Sequence, residues 1–125
     1  MDKLEYIRFL TGDIVYIHGS VRVISSCDGY YATYYDENET LQEVNVNVIE
    51  GISLTPEILL KKGWMLYHLY YWFTEEECLK LRLLKLDKRP WNAYIGSNLM
   101  RVNIHSVSDL QHLLFGLGLN SEMEV

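Results

Sequence analysis

The chain has 125 residues, 17 of them acidic and 11 basic, for a formal net charge of −6, with 49 % apolar and 13 % aromatic residues. That apolar share is too high for a disordered chain, and the length supports one hydrophobic core without a disulfide framework or structural metal. The acidic balance weighs against non-specific nucleic-acid binding, which needs a cationic face, and no apolar run reaches the ~18 residues of a membrane-spanning helix.

Residues 1–125 read as a single domain, with no internal repeat or low-complexity linker. The opening Met1-Asp2-Lys3-Leu4-Glu5 lacks the pattern of a signal peptide. The expectation is a soluble cytoplasmic protein with no membrane attachment. From Gly12-Asp13 the chain enters the apolar run Ile14-Val15-Tyr16-Ile17, turns at His18-Gly19-Ser20 and continues as Val21-Arg22-Val23-Ile24. Two apolar runs across a short Gly-containing connection predict a β-hairpin. Cys27-Asp28-Gly29 marks the next turn, and Tyr30-Tyr31-Ala32-Thr33-Tyr34-Tyr35 has strand composition. After the polar turn Asp36-Glu37-Asn38-Glu39, strict alternation over Val44–Val48 predicts a strand with one buried face. Four short, closely spaced strands imply a small antiparallel, SH3-like curled sheet.

A short helix follows. Thr55 is placed to cap it, Pro56 and Glu57 suit its first turn, Lys61-Lys62 its last, and Gly63 its stop. Trp64–Phe73 has strand composition, and Thr74-Glu75-Glu76-Glu77 fits either a hairpin turn or a helix-opening capping box. Leu79, Leu81 and Leu83 alternate with Lys80 and Arg82, which favours a strand over the helix that Leu79, Leu83 and Leu86 also match. Turn residues then bracket two further strand segments, Trp91–Ile95 and Leu99–Ile104. Ser106 and Asp109 resemble a capping pair for a C-terminal helix over Val107–Leu117, whose stripe is Val107, Leu110, Leu113, Leu114 and Leu117. Gly116 and Gly118 end it, and the tail Ser121–Val125 is expected to fray. The predicted class is α+β: curled sheet, short helix, further strands, C-terminal helix.

Three phrases resemble a largely uncharacterised family of small proteins from Bacteroidota, their phages and mobile elements. Gly12-Asp13-Ile14-Val15 is similar to that family's opening hairpin. Ile52-Ser53-Leu54-Thr55-Pro56-Glu57-Ile58-Leu59-Leu60-Lys61-Lys62-Gly63-Trp64 resembles its most distinctive motif, I-x-L-T-x-E-x-L-L-x-x-G-F/W. Val107-Ser108-Asp109-Leu110-Gln111-His112-Leu113 resembles its closing helix, with Ser108 where the family usually has His. The resemblance implies an origin in such a bacterium, phage or mobile element, and with it a host-directed or anti-defence setting. It implies no activity.

No nucleophile elbow, phosphate loop or dinucleotide fingerprint is present, so no catalytic residue, cofactor or metal is assigned. The two cysteines, Cys27 and Cys78, read as free thiols, and none of the four histidines has metal-ligand spacing. The clustered acids Asp36, Glu37, Glu39 and Glu75–Glu77 read as solvated turns. The aromatic excess is the feature with functional content. Tyr30, Tyr31, Tyr34, Tyr35, Tyr67, Tyr70, Tyr71 and Trp72 fall in two clusters, and on strands one neighbour of each pair can face outward. The candidate ligand-binding residues are Tyr30, Tyr31, Tyr34, Tyr35, Tyr70 and Trp72 for stacking, with Arg22, Arg82 and Arg101 for phosphates. The leading expectation is a non-catalytic protein acting by stoichiometric capture or blocking, with a nucleotide-like small molecule as ligand. The alternatives are an acidic inhibitor docking on a host protein, an assembly protein working as a homo-oligomer, and a small hydrolase using His105 or His112.

Overall fold

In the computed structural model, which describes residues 9–75 and 79–125, eleven short strands and two helices follow one another in an antiparallel α+β fold. The first hairpin joins β1 (Ile14–Ile17) to β2 (Ser20–Val23), Ile14 opposite Val23 and Ile17 opposite Ser20. His18 and Gly19 both have positive φ, as a two-residue turn of type I′ requires. Next come β3 (Ser26–Cys27), β4 (Tyr31–Tyr35) and β5 (Leu41–Asn45). The Asp36–Glu39 turn forms as expected, with Asp36 Oδ1 accepting from the backbone of Asn38 and Thr40.

The strand predicted over Val44–Val48 is displaced. It ends at Asn45, whose side chain accepts from Asn47 N and so caps a 3₁₀ turn at Val46–Val48. A short polar side chain that bonds its own backbone takes it out of the ladder. β6 (Ile49–Gly51) then returns to pair with β1. The first half therefore makes two three-stranded sheets, ordered β2-β1-β6 and β3-β4-β5. They share one core of Val15, Ile17, Ile24, Ala32, Tyr34, Val46 and Ile49, with Phe9.

Helix α1 (Pro56–Lys62) has the predicted punctuation: Thr55 Oγ1 accepts from Ile58 N, and Gly63 stops the helix at φ +101°. The segment read as one strand composition, Trp64–Phe73, is a tight hairpin of β7 (Met65–Tyr67) and β8 (Tyr70–Trp72). His68 and Leu69 occupy its turn at φ +48° and +71°, a conformation that a non-glycine residue adopts at a cost. Of the predicted turn or capping box at Thr74–Glu77, Glu76 and Glu77 lie outside the described residues, as does Cys78. The alternation after it is a strand, β9 (Leu81–Leu84). β10 (Asn92–Ile95) and β11 (Asn98–Leu99) complete a sheet ordered β11-β10-β9-β8-β7. The strand expected through Ile104 stops at Leu99, and only a bridge between Trp91 and Ile104 continues the pairing.

Helix α2 (Val107–Gly116) begins with the predicted capping box: Asp109 N donates to Ser106 Oγ, and Ser106 N to Asp109 Oδ2. Its stripe packs Val107, Leu110 and Leu114 against Leu59 of α1, Leu81 and Leu83 of β9, and Trp91. Full burial of each such side chain contributes about 1.5–3 kcal/mol, enough to hold helices too short to form alone. Strand β1 serves both cores: Ile14 faces this one, and Val15 and Ile17 face the other. The tail is not frayed. Met123 is buried in the main core, Lys62 Nζ donates to the Glu122 carbonyl at 2.5 Å, and Lys61 Nζ to that of Val125 at 3.3 Å. One apolar side chain and two lysine contacts outweigh the tail's polar composition.

Candidate functional site

Cross-strand register builds the site. Met65, Trp72, Arg82, Tyr94 and Leu99 stand directly opposite one another in turn, a row crossing all five strands of the larger sheet. Strand alternation puts Tyr67 and Tyr70 on that same face, while Tyr71, Leu83 and Ala93 point into the core. The outer face of this sheet is therefore a floor of rings around a central cation. The Arg82 guanidinium carbon lies 4.9 Å from the Tyr70 ring centroid, 5.2 Å from Trp72 and 4.9 Å from Tyr94. Its Nη1 donates to the Gly96 carbonyl, so one edge of the fork is fixed while the rings hold its plane. Tyr70 and Tyr94 meet edge to face at 5.8 Å. Trp72 Nε1 is shielded from water with no hydrogen-bond partner among the described residues.

Of the sequence candidates, Tyr70, Trp72 and Arg82 converge here. Tyr94, which completes the cage, was not among them. Its signal was weak: a single tyrosine in a short strand, brought into line only by pairing with Arg82. The hairpin tip beside the face carries Leu69, 76 % exposed, next to Tyr67 and Met65, both more than half exposed.

The other candidates go elsewhere. Tyr31 and Tyr35 lie on the outer face of the β3-β4-β5 sheet, and Tyr30 is exposed in the turn before β4. Tyr34 points inward, only 8 % exposed, so alternation takes it out of any open surface. Arg22 covers its ring at 5.2 Å and pairs with Glu37 at 2.6 Å, a structural use of the cation. Arg101 is exposed on the segment after β11, and His105 is exposed just before α2. Among the described residues no group of three or more His, Cys, Asp or Glu is placed to hold a metal, and Cys27 is a free thiol.

His112 does have a carboxylate. Its Nε2 donates to Asp13 Oδ2 at 2.7 Å, and Asp13, 2 % exposed, also accepts from Leu10 N. This hydrogen bond raises the imidazole pKa above the free value of 6.5; burial opposes the shift, and the charges of Asp13 and Asp109 add to it. A histidine held more basic in the folded state contributes its full stabilisation below about pH 6.5 and loses it as pH rises through the folded value. Denaturant midpoints should therefore decline as pH rises above about 6.5, and His112→Gln should flatten that slope.

Charge is segregated along the chain. Residues 79–105, which hold β9 to β11, carry six basic side chains (Lys80, Arg82, Lys85, Lys88, Arg89, Arg101) and one acid, Asp87. Residues 26–45, the β3-β4-β5 sheet, carry five carboxylates and no Lys or Arg. The net charge of −6 thus averages an acidic and a basic stretch of the chain. Comparison with family models, curated proteins and solved structures finds no match. Among the described residues no helix is long and apolar enough to cross a membrane.

Proposed function

We propose that this chain is a non-catalytic capture protein, and that the outer face of its five-stranded sheet holds a nucleotide or short nucleotide oligomer. The supporting observation is the convergence of Tyr70, Trp72 and Tyr94 around Arg82 on a solvent face, where a core sheet needs no rings. Aromatic faces stack bases, and the basic residues of the same strands and their loops supply charge for phosphates. Capture of this kind removes a signal without turnover, which suits the anti-defence setting that the family resemblance implies.

Tryptophan emission offers a direct test. Trp64 and Trp91 are buried, so Trp72 is the only one of the three tryptophans in reach of a ligand. Linear and cyclic oligonucleotides should quench it saturably, with matching heat in calorimetry. Tyr94→Ala should weaken binding about ten- to a hundredfold, the range of one lost stacking contact. Absence of both quenching and heat at millimolar ligand, or binding indifferent to Tyr94→Ala, overturns the reading. The acid-base alternative has one observation in its favour, the Asp13–His112 pair. That pair ties α2 to the entry of β1, a sufficient structural role.

A further inference from the structure

Arg82 carries more N–H donors than the fold uses. Its Nη1 donates to the Gly96 carbonyl, whereas Nε and Nη2 have no hydrogen-bond partner among the described residues. Neither is sealed from water, in contrast to Trp72 Nε1. The half-buried guanidinium also has no carboxylate partner among the described residues. Its Nε–Nη2 edge is therefore an open fork of two parallel donors, which suits a bidentate acceptor. The rings narrow the choice of acceptor. Trp72 on one neighbouring strand and Tyr94 on the other bracket the guanidinium, with Tyr70 on the diagonal. Aromatic faces are electron-rich, so they favour the cation and disfavour an anion laid against them. Arg82 is also the only charged residue of the row Met65, Trp72, Arg82, Tyr94 and Leu99. A phosphate on this fork would meet one cation already shared with three rings. A neutral base with two adjacent acceptors would gain the fork and stack on a ring beside it.

We propose that Arg82 reads guanine: Nε–H and Nη2–H donate to O6 and N7 of the base, which stacks on Trp72 or Tyr94. Guanine sets those two acceptors side by side, whereas adenine places its N6 amino group beside N7 and would turn a donor toward the fork. Uracil carries a donor N–H between its two carbonyls. Cytosine does pair O2 with N3, but its single ring offers less surface for stacking. This rests on the capture reading and names the base that the face selects; the phosphates fall to the basic loops around it.

Trp72 quenching and calorimetry of the full chain with 5′-phosphorylated dinucleotides of G, A, C and U test it. The guanine dinucleotide should bind about 10- to 100-fold more tightly than the adenine one, the range for one bidentate arginine–base pair. The inosine dinucleotide, which keeps both acceptors, should match guanine, and 7-deazaguanine, which has C–H in place of N7, should fall toward adenine. Arg82→Lys keeps the charge without the parallel donors and should bind all four with similar affinity. Should that variant fail to fold, the ligand series on the wild type still decides. Adenine or cytosine binding as tightly as guanine, 7-deazaguanine matching guanine, or a guanine preference that survives in folded Arg82→Lys overturns the assignment. Equal binding of all four is the result a fork on phosphate would give, and it leaves the capture reading standing. Silence of all four and of longer oligonucleotides removes both readings.

Discussion

Trp91→Ala should lower folding stability by about 3–5 kcal/mol, the range for emptying a fully buried aromatic site. The indole is 1 % exposed and meets Tyr71 edge to face at 5.5 Å. Its Nε1 donates to the carbonyl of Leu54 at 3.1 Å, so truncation leaves a cavity and a buried acceptor without its donor. Backbone bonds in both directions between Trp91 and Ile104 stitch the end of the sheet to the approach to α2, which limits how far the site can collapse. In urea melts the midpoint should fall sharply with the slope unchanged, and thermal unfolding should shift down by roughly 10–20 °C. Trp91→Phe refills most of the volume but still abandons Leu54, so it should cost about 1–3 kcal/mol. A loss below about 1 kcal/mol for the alanine variant would show that the neighbours close the gap, against this account.

Gln111→Leu should cost about 2–4 kcal/mol even though leucine matches the helix stripe better than glutamine does. Gln111 is 4 % exposed and works as a clamp. Oε1 accepts from Ile14 N at 2.9 Å, while Nε2 donates to the carbonyls of Gly12 and Ser121, each at 3.0 Å. Leucine would strand a buried N–H at the start of β1 and free the tail that seats Met123. Gln111→Glu keeps one acceptor for Ile14 N but offers the two carbonyls a negative charge, so it should be no better than leucine at neutral pH. The check is equilibrium denaturation, with tail release followed by proteolysis after residue 119. A stabilising Gln111→Leu would mean that the amide network contributes nothing net.

Signals carried by adjacent residues were legible in the sequence, and those that depend on pairing were not. Helix α1 could be read residue by residue because Thr55, Pro56 and Gly63 act on the backbone within one turn of themselves. The Ser106–Asp109 box is equally local. Alternation over Val44–Val48 reported a two-faced segment but could not report that Asn45 would bond forward and end the ladder. The β7–β8 turn was invisible because His68-Leu69 carries neither of the residues that favour positive φ. Met123 is one apolar residue in a polar tail, and composition gives no weight to a single contact.

The candidate site shows the same division. Composition pointed to Tyr70, Trp72 and Arg82, whereas Tyr94 joins them only through the β9–β10 register. Tyr34 and Arg22 looked like surface groups until alternation turned the ring inward and Glu37 took the guanidinium. Asp13 and His112 are 99 residues apart, beyond any spacing argument. The opposed charges of residues 26–45 and 79–105 were open to inspection, concealed only by counting over the whole chain.

The two tight hairpins differ in how far their turns favour their own geometry. Gly19 lets the first turn close unaided, whereas His68-Leu69 resists its own geometry and is held by the strands it connects. The β7–β8 ribbon consequently relies on its pairing with β9 to hold that turn. Part of the surface assigned to recognition, Tyr70 and Trp72, is thus mounted on a ribbon that leans on its neighbour, where a bound guest would be felt as added rigidity.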